Sequence, residues 1–596
     1  MGIAVDKEAL KKKYLEERDK RLRADGNAQY LELKGQLAHY LEDPYTPFEE
    51  RQPITDHVMV AFIGGGFAGL VTGARLKEQG INDVRIIEKG GDFGGTWYWN
   101  RYPGAQCDTA SFVYMPMLEE TGHMPSEKYA HQPEILAQCQ RIGNQYKLYD
   151  NALFHTEVKA LEWQADKSCW LVKTNRGDAF TAQYLAMGTG PLHVPKLPGI
   201  AGIEDFKGHS FHTSRWDYAY TGGTPEGALL ENLKDKRVGI IGTGATSVQC
   251  VPHLAKACKE LYVFQRTPSS VDVRDNKPTD PEWFKEMATE GWQQRWLENF
   301  TANQTGGIAS EDLVMDGWTE LSRRVRSKIM ELPAEDRTPV NMLAAYEDSD
   351  FEKMEEIRKR AEQLVEDKET AEGLKAWYRQ LCKRPCFHDQ YLQAFNEPGT
   401  HLVHTDGKGV EKITENGVVV AGKEYPLDCI IYASGFEVGT EYKRRAGYDM
   451  VGRDGLKLSE KWAEGMKSKH GTHVHGFPNA FIVQPTQGAN LISNVPHNLT
   501  ESGKTIALTI KHAIDNGFKE IEVSQKAEDE WIELLLTNAG GMLGSPDCTP
   551  GYYNNEGQPA GPGAKYHVGY PQGATAYFKY IKEWRESGDF EGIEFR

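Results

Sequence analysis

Two segments of this 596-residue chain follow one grammar, an apolar run, a glycine turn, a helical stretch and a second apolar run. That repetition constrains the fold more than any other feature. The first segment, HVMVAFIGGGFAGLVTGARLKEQGINDVRIIEKG, begins near Asp56; the second is RVGIIGTGATSVQCVPHLAKACKELYVFQRTP. In Gly64-x-Gly66-x-x-Gly69 the first glycine permits the tight strand-to-helix turn and the second lets a pyrophosphate approach the backbone. The third lets helix and strand pack. Gly242-x-Gly244-x-x-Ser247 repeats the pattern with serine third, a position that asks for compactness more than for a positive φ. The predicted class is α/β, with two Rossmann-like dinucleotide-binding domains.

The second strand of each unit ends differently. Glu88 lies 24 residues after Gly64, and Arg266 lies 24 residues after Gly242. A carboxylate there accepts hydrogen bonds from ribose hydroxyls and repels a 2′-phosphate; a guanidinium binds that phosphate bidentately. The second site is therefore expected to take NADPH, with Thr243, Thr246 and Thr267 as nearby hydroxyls. The first suits FAD, because an aromatic segment, GDFGGTWYWNRYPGAQCD, follows it. Gly95 and Thr96 can serve phosphate or ribityl oxygens, and Trp97 and Trp99, with Tyr98 and Tyr102, can wall a planar ring.

Composition removes other classes. Hydrophobic residues are 39% and charged residues 26% of the chain, enough for a sizeable core. A net charge of −17 disfavours nucleic acid as a partner. No run approaches the roughly 18 apolar residues of a spanning helix, and the start lacks the apolar core of a signal peptide. No membrane insertion and a cytoplasmic address are expected. Nine scattered cysteines without a CxxC pair argue against a disulfide scaffold or a zinc site, and no metal is expected.

The expected layout begins with a helical extension over 1–55. The FAD domain's first part covers 56–193, and the NADPH domain covers 194–389 with a helical insertion at about 272–381. The run GVVVAGKEYPLDCIIYASGF is expected to complete the first sheet, so 390–540 is read as the FAD domain's second part. The Gly-, Pro- and Tyr-rich 541–596 is read as a loop-rich tail.

Together with FKGHSFHTSRWD at residues 206–217, GGTWYWNRYPG, MGTGPLHVPKLPG and IIYASGF, these units resemble the Baeyer–Villiger monooxygenases over roughly residues 56 to 540. The N-terminal extension and long tail resemble the subgroup acting on large rings, such as cyclopentadecanone monooxygenase. The resemblance implies that NADPH reduces FAD and that O₂ then gives a peroxyflavin whose anion attacks a ketone carbonyl. An ester or lactone results. It also implies residue roles: Arg384 as the fixed cation protecting that anion, and Asp108 as the carboxylate orienting it. Lys383 is implied at the 2′-phosphate, Gln106, Cys107 and Asp108 beside the nicotinamide, and Ala68 and Tyr114 at the flavin. His212 and Trp216 are implied in the domain linker, and Asn490, Leu491 and Ile492 in a substrate-pocket loop. An N-hydroxylating or sulfoxidising flavin monooxygenase, a disulfide reductase using Cys382 and Cys386, and a non-enzymatic FAD/NADPH sensor or scaffold remain open alternatives.

Overall fold

The computed structural model describes residues 6–305, 307, 309–438, 442–484, 486–489, 494–537, 547–558 and 566–596. Strand His57–Ile63 runs into Gly64, whose φ of +108° and whose position make it irreplaceable: an added Cβ would lie 2.5 Å from the Gly188 carbonyl oxygen. Helix Phe67–Glu78 starts at Gly66, and the chain returns as strand Val84–Ile87, parallel to the first. Ala179–Met187 lies parallel on the other side, and antiparallel Cys169–Thr174 and Val158–Gln164 extend the sheet.

The second sheet is parallel throughout, ordered Thr400–His404, Glu260–Gln265, Arg237–Ile241, Cys429–Tyr432 and His209–His212. Its glycine turn repeats the first. Gly242 has φ +113°, and a Cβ there would lie 2.4 Å from the Ala433 carbonyl oxygen.

That equivalence corrects one expectation. Cys429–Tyr432 does not complete the first sheet; it pairs with Arg237–Ile241 in the second, and Ala433 caps the second glycine turn as Gly188 caps the first. The segment 400–433 therefore belongs with the second sheet. Met450–Val451 and Ala480–Ile482 are the strands that rejoin the first. An apolar run of four residues carries no mark of which sheet it enters.

The insertion is helical as expected, with helices Pro281–Met287, Trp292–Gln304, Gly317–Glu331, Pro339–Leu364 and Lys368–Gly373. Its neck is a pair of parallel two-residue strands, Val271–Asp272 beside Cys386–Phe387. Ahead of the first unit come helix Lys7–Asp19 and Tyr30–Leu31, which pairs with Leu197–Pro198 and so ties the extension to the body.

The tail departs from a loop-rich reading. Ala574–Glu586 is a helix burying Ala574, Tyr577, Phe578, Ile581 and Trp584 on one face, and Ile593–Phe595 pairs with Ile521–Val523. The Gly and Pro density that suggested loops ends at Gly573. A disulfide, Cys382–Cys548, joins the end of the insertion to the tail; spacing alone did not reveal it.

Candidate active site

The first glycine turn is built to receive a dinucleotide. An added Cβ at Gly66 would meet only the Gly95 backbone, at 3.4 Å, so the backbone at the helix start is open. Glu88 is buried, and its two oxygens accept hydrogen bonds from Gly65 N–H at 2.6 Å and Gly90 N–H at 2.7 Å. Burial without a bonded cation raises its pKa. Each oxygen keeps a lone pair, so a ribose diol can complete the shell. The residues present fit FAD on these grounds.

Beyond the turn the aromatic segment is packed. The Trp97 ring N–H donates to Tyr114 Oη at 3.1 Å, and Thr96–Trp99 forms one helical turn entered from Gly95 at φ +53°. Trp99 is fully buried with the Arg215 guanidinium 3.8 Å from its ring centroid. Ala68, in the first turn of the helix, lies beneath Gly188. Asn490, Leu491 and Ile492 lie outside the described residues.

Asp108 and Arg384 meet as a two-pronged ion pair, Nη1 to Oδ2 and Nη2 to Oδ1 both at 2.7 Å. They are 276 residues apart. The insertion neck makes the meeting possible: Arg384 sits two residues before Cys386–Phe387, the returning neck strand. Trp318, near the start of helix Gly317–Glu331, donates its ring N–H to the Asp108 carbonyl at 2.8 Å, and its ring lies 5.5 Å from the guanidinium. Burial works against the Arg384 charge, but the Asp108 carboxylate outweighs it and raises the pKa well above its ordinary value. The Arg384 side chain as a whole is about one-third exposed while that of Asp108 is buried.

Next to it, burial pushes the Cys107 thiol up to about 12, so this cysteine is a packing group and no nucleophile at neutral pH. The Gln106 side chain donates to Tyr129 carbonyl and accepts from Arg274. Gln249, on the second unit's helix, donates to Gln106 carbonyl at 2.7 Å and accepts from Tyr102 Oη at 2.9 Å. Trp318, Arg274 and Gln249 escaped the sequence reading. Each arrives from a distant element.

In the second unit Gly244 faces open space, with nothing within 4 Å of an added Cβ, so a phosphate has room there. Thr243 Oγ1 donates to Thr267 carbonyl at 2.7 Å, locking turn to strand end, while Thr246 stands half-buried in the first helical turn and Ser247 is buried beneath it. Arg266 is partly exposed; its Nη1 donates to Gln29 at 2.6 Å, and its backbone carbonyl accepts from Arg21 at 3.2 Å. The N-terminal extension thus buttresses this corner. Burial and the neighbouring Arg266 charge lower the Lys383 pKa to about 8. The two basic residues are near enough for their charges to interact.

His212 ends strand His209–His212. Its Nδ1 accepts from Ser214 N–H at 3.2 Å, which leaves Nε2–H to donate to Gly435 carbonyl at 3.0 Å. It bridges the two strand ends where the chain crosses between the sheets, and Trp216 is buried four residues on. Burial and Arg215 hold its pKa at about 3. Neutral imidazole is favoured in the fold, so its contribution is present above pH 6.5 and is lost as pH falls toward 3. His212→Ala is expected to cost about 1–3 kcal/mol at pH 7. Thermal melts should show wild type losing more stability than the variant between pH 7 and pH 5.

Comparison with known proteins agrees with this geometry. The pyridine nucleotide-disulphide oxidoreductase family pattern matches residues 61–311. Neopentalenolactone D synthase of Streptomyces avermitilis is 51% identical, covering 99% of this chain and 100% of that one. A Baeyer–Villiger monooxygenase of Stachybotrys chlorohalonatus is 46% identical, covering 99% and 95%. Among solved structures, the polycyclic ketone monooxygenase of Thermothelomyces thermophila superposes with a TM-score of 0.92 at 37% identity, covering 99% of each chain. A crystal structure of OTEMO with FAD and NADP superposes with a TM-score of 0.73 at 27% identity, covering 92% of this chain and 100% of that one. Two open glycine turns, an arginine anchored on Asp108, and likeness along the full length place the chain in the Baeyer–Villiger monooxygenases, flavin enzymes that use FAD and NADPH.

Proposed function

We propose that this protein converts a large polycyclic ketone into a lactone, with Arg384 as the cation at the reacting centre and Asp108 as its anchor. The balance is ketone plus O₂, NADPH and H⁺ giving lactone, NADP⁺ and water. The observation that carries the reading is the two-pronged Asp108–Arg384 pair. The names of two relatives, a pentalenolactone-type synthase and a polycyclic ketone monooxygenase, support a fused-ring substrate. A cytoplasmic setting, where NADPH is made, is part of the proposal.

Bound FAD supplies the chemistry that passes electrons from NADPH to O₂ and delivers one oxygen atom. The chain's residues hold and guard. Glu88 takes the flavin nucleotide's ribose hydroxyls, and Gly64, Gly66 and Gly69 give its pyrophosphate access to backbone N–H groups. Gly242, Gly244 and Ser247 do the same for the nicotinamide dinucleotide, and Arg266 and Lys383 hold its 2′-phosphate. Arg384 keeps a positive charge wherever an oxyanion develops on the substrate. Asp108 occupies one edge of the guanidinium, so the remaining N–H groups point in a fixed direction. Neither residue shuttles a proton.

A panel of polycyclic, macrocyclic and small ketones under ¹⁸O₂, read by mass spectrometry, tests the proposal. One ¹⁸O in the lactone of a polycyclic ketone is expected; sulfoxides or N-oxides alone would favour the heteroatom-oxidising alternative. Lys383 adds a pH signature. Its ammonium is lost as pH rises through about 8, so the KM for NADPH should climb above that pH while the KM for NADH stays level. Lys383→Arg, charged at all such pH values, should flatten the climb.

A further inference from the structure

The 2′-phosphate corner already holds a carboxylate. Glu556 is 4% exposed, with Oε2 3.6 Å from Arg266 Nη2 and Oε1 3.9 Å from Lys196 Nζ. Lys383 belongs to the same group of charges, interacting with both Arg266 and Glu556, and its Nζ borders Gly551 in the segment that carries Glu556. Despite this company, Glu556 Oε2 takes no hydrogen bond among the described residues. Arg266 and Lys196 stand at ion-pair distances too long for a direct hydrogen bond, Lys383 adds a third nearby charge, and the Tyr30 hydroxyl is shared between Glu556 and Arg266. A phosphate, with close to two negative charges and three acceptor oxygens, suits such a cradle better than a carboxylate does.

The segment that delivers Glu556 is held in place from several sides. Cys548 is bonded to Cys382, the neighbour of Lys383. Asn554 is buried; its amide donates to the carbonyls of Cys548 and Thr549 and its oxygen accepts from Gly551 N–H and Gly557 N–H. Glu556 N–H donates to Gly551 carbonyl at 2.8 Å. Asn555 and Glu556 both lie in the left-handed region, at φ +51° and +55°, a conformation that non-glycine residues adopt only under constraint. The turn thus presents one acidic side chain to a basic corner.

We infer that Glu556 is a built-in occupant of the 2′-phosphate subsite, displaced by NADPH, and that the segment Cys548–Gln558 acts through it as a selectivity element. This rests on the reading that Arg266 and Lys383 hold the 2′-phosphate. A dinucleotide without that phosphate gives the corner nothing in exchange for Glu556 and leaves the segment seated. One with it offers the cations a dianion in place of the Glu556 carboxylate and frees the turn.

The test uses the FAD-loaded full chain with 2′,5′-ADP and 5′-ADP as probes. Because apparent affinity falls with the fraction of protein that is open, Glu556→Gln should tighten 2′,5′-ADP about five- to tenfold in calorimetry and change 5′-ADP by less than about twofold. In wild type, 2′,5′-ADP should speed hydrogen exchange at the amides of residues 551–557, and 5′-ADP should not. Equal tightening of both probes would mean simple removal of a charge, and slowed exchange would mean a clasp over the ligand; either result overturns the inference, as does unchanged affinity for 2′,5′-ADP in Glu556→Gln. Arg266→Ala separates the two levels. If it weakens 2′,5′-ADP while Glu556→Gln does nothing, only the occupant is refuted; if it leaves 2′,5′-ADP untouched, the phosphate reading falls and the occupant with it.

Discussion

Arg384→Ala is expected to take a hydride from NADPH and bleach the flavin at a rate near that of wild type, yet to form lactone about a hundred- to a thousandfold more slowly. The two halves are expected to separate because Arg384 is fixed by Asp108 through both Nη atoms, a placement that serves an anion and not the hydride. In the proposed role its charge acts only once an oxyanion has developed, after O₂ has reacted. NADPH oxidation should therefore continue, its electrons leaving as hydrogen peroxide. Stopped-flow absorbance for flavin reduction, peroxide assay and product analysis read the three quantities on one sample. A full lactone yield would remove Arg384 from the reacting centre. Arg384→Lys should recover only a small part of the loss, since an ammonium cannot engage both Asp108 oxygens in the planar fork and still present donors outward. Asp108→Asn should keep the charge but loosen its direction, giving an intermediate yield.

How much of this was legible beforehand follows from distance along the chain. The glycine turns and the exchange of Glu88 for Arg266 are local: a strand, a turn and a helix lie within 25 or so residues, and their periodicity survives in the sequence. The helical insertion was legible for the same reason. Arg384 had no such signal, because a Lys-Arg pair reads as a solvated surface until Asp108, 276 residues away, is placed against it; the resemblance supplied what spacing could not.

Pairing between remote segments was the systematic blind spot. Cys429–Tyr432 entered the second sheet, and the Cys382–Cys548 bond spans 166 residues with no motif to announce it. One internal signal was available. MGTG at 187–190 and YASG at 432–435 are both a strand end followed by small residues, and each covers a glycine turn. Matching them would have assigned the second strand to its sheet. Trp318 and Glu556 offered nothing comparable, since each becomes functional only through a neighbour from another element.

Arg266→Ala carries the second large effect, on the choice between NADPH and NADH. The guanidinium is the strand-end group of the second unit, oriented by Gln29 and braced through its own carbonyl by Arg21. Losing charge-assisted hydrogen bonds to a phosphate costs about 1.5–3 kcal/mol, a factor of roughly 10 to 150 in affinity. NADH has no 2′-phosphate and loses none of it, so the KM for NADPH should rise by that factor while the KM for NADH changes by less than about threefold, with the kcat for either coenzyme nearly constant. That split matters, because a merely structural arginine would move both coenzymes together, and steady-state kinetics with each would expose it. Lys383 limits the size of the effect: in Arg266→Ala it keeps part of the attraction, and because the Arg266 charge helps to lower its pKa, it stays charged to higher pH in the variant than in wild type, so the remaining discrimination should fall only as the pH is raised well above 8. A NADPH preference that survives in Arg266→Ala and does not change with pH would place the phosphate somewhere other than at this strand end.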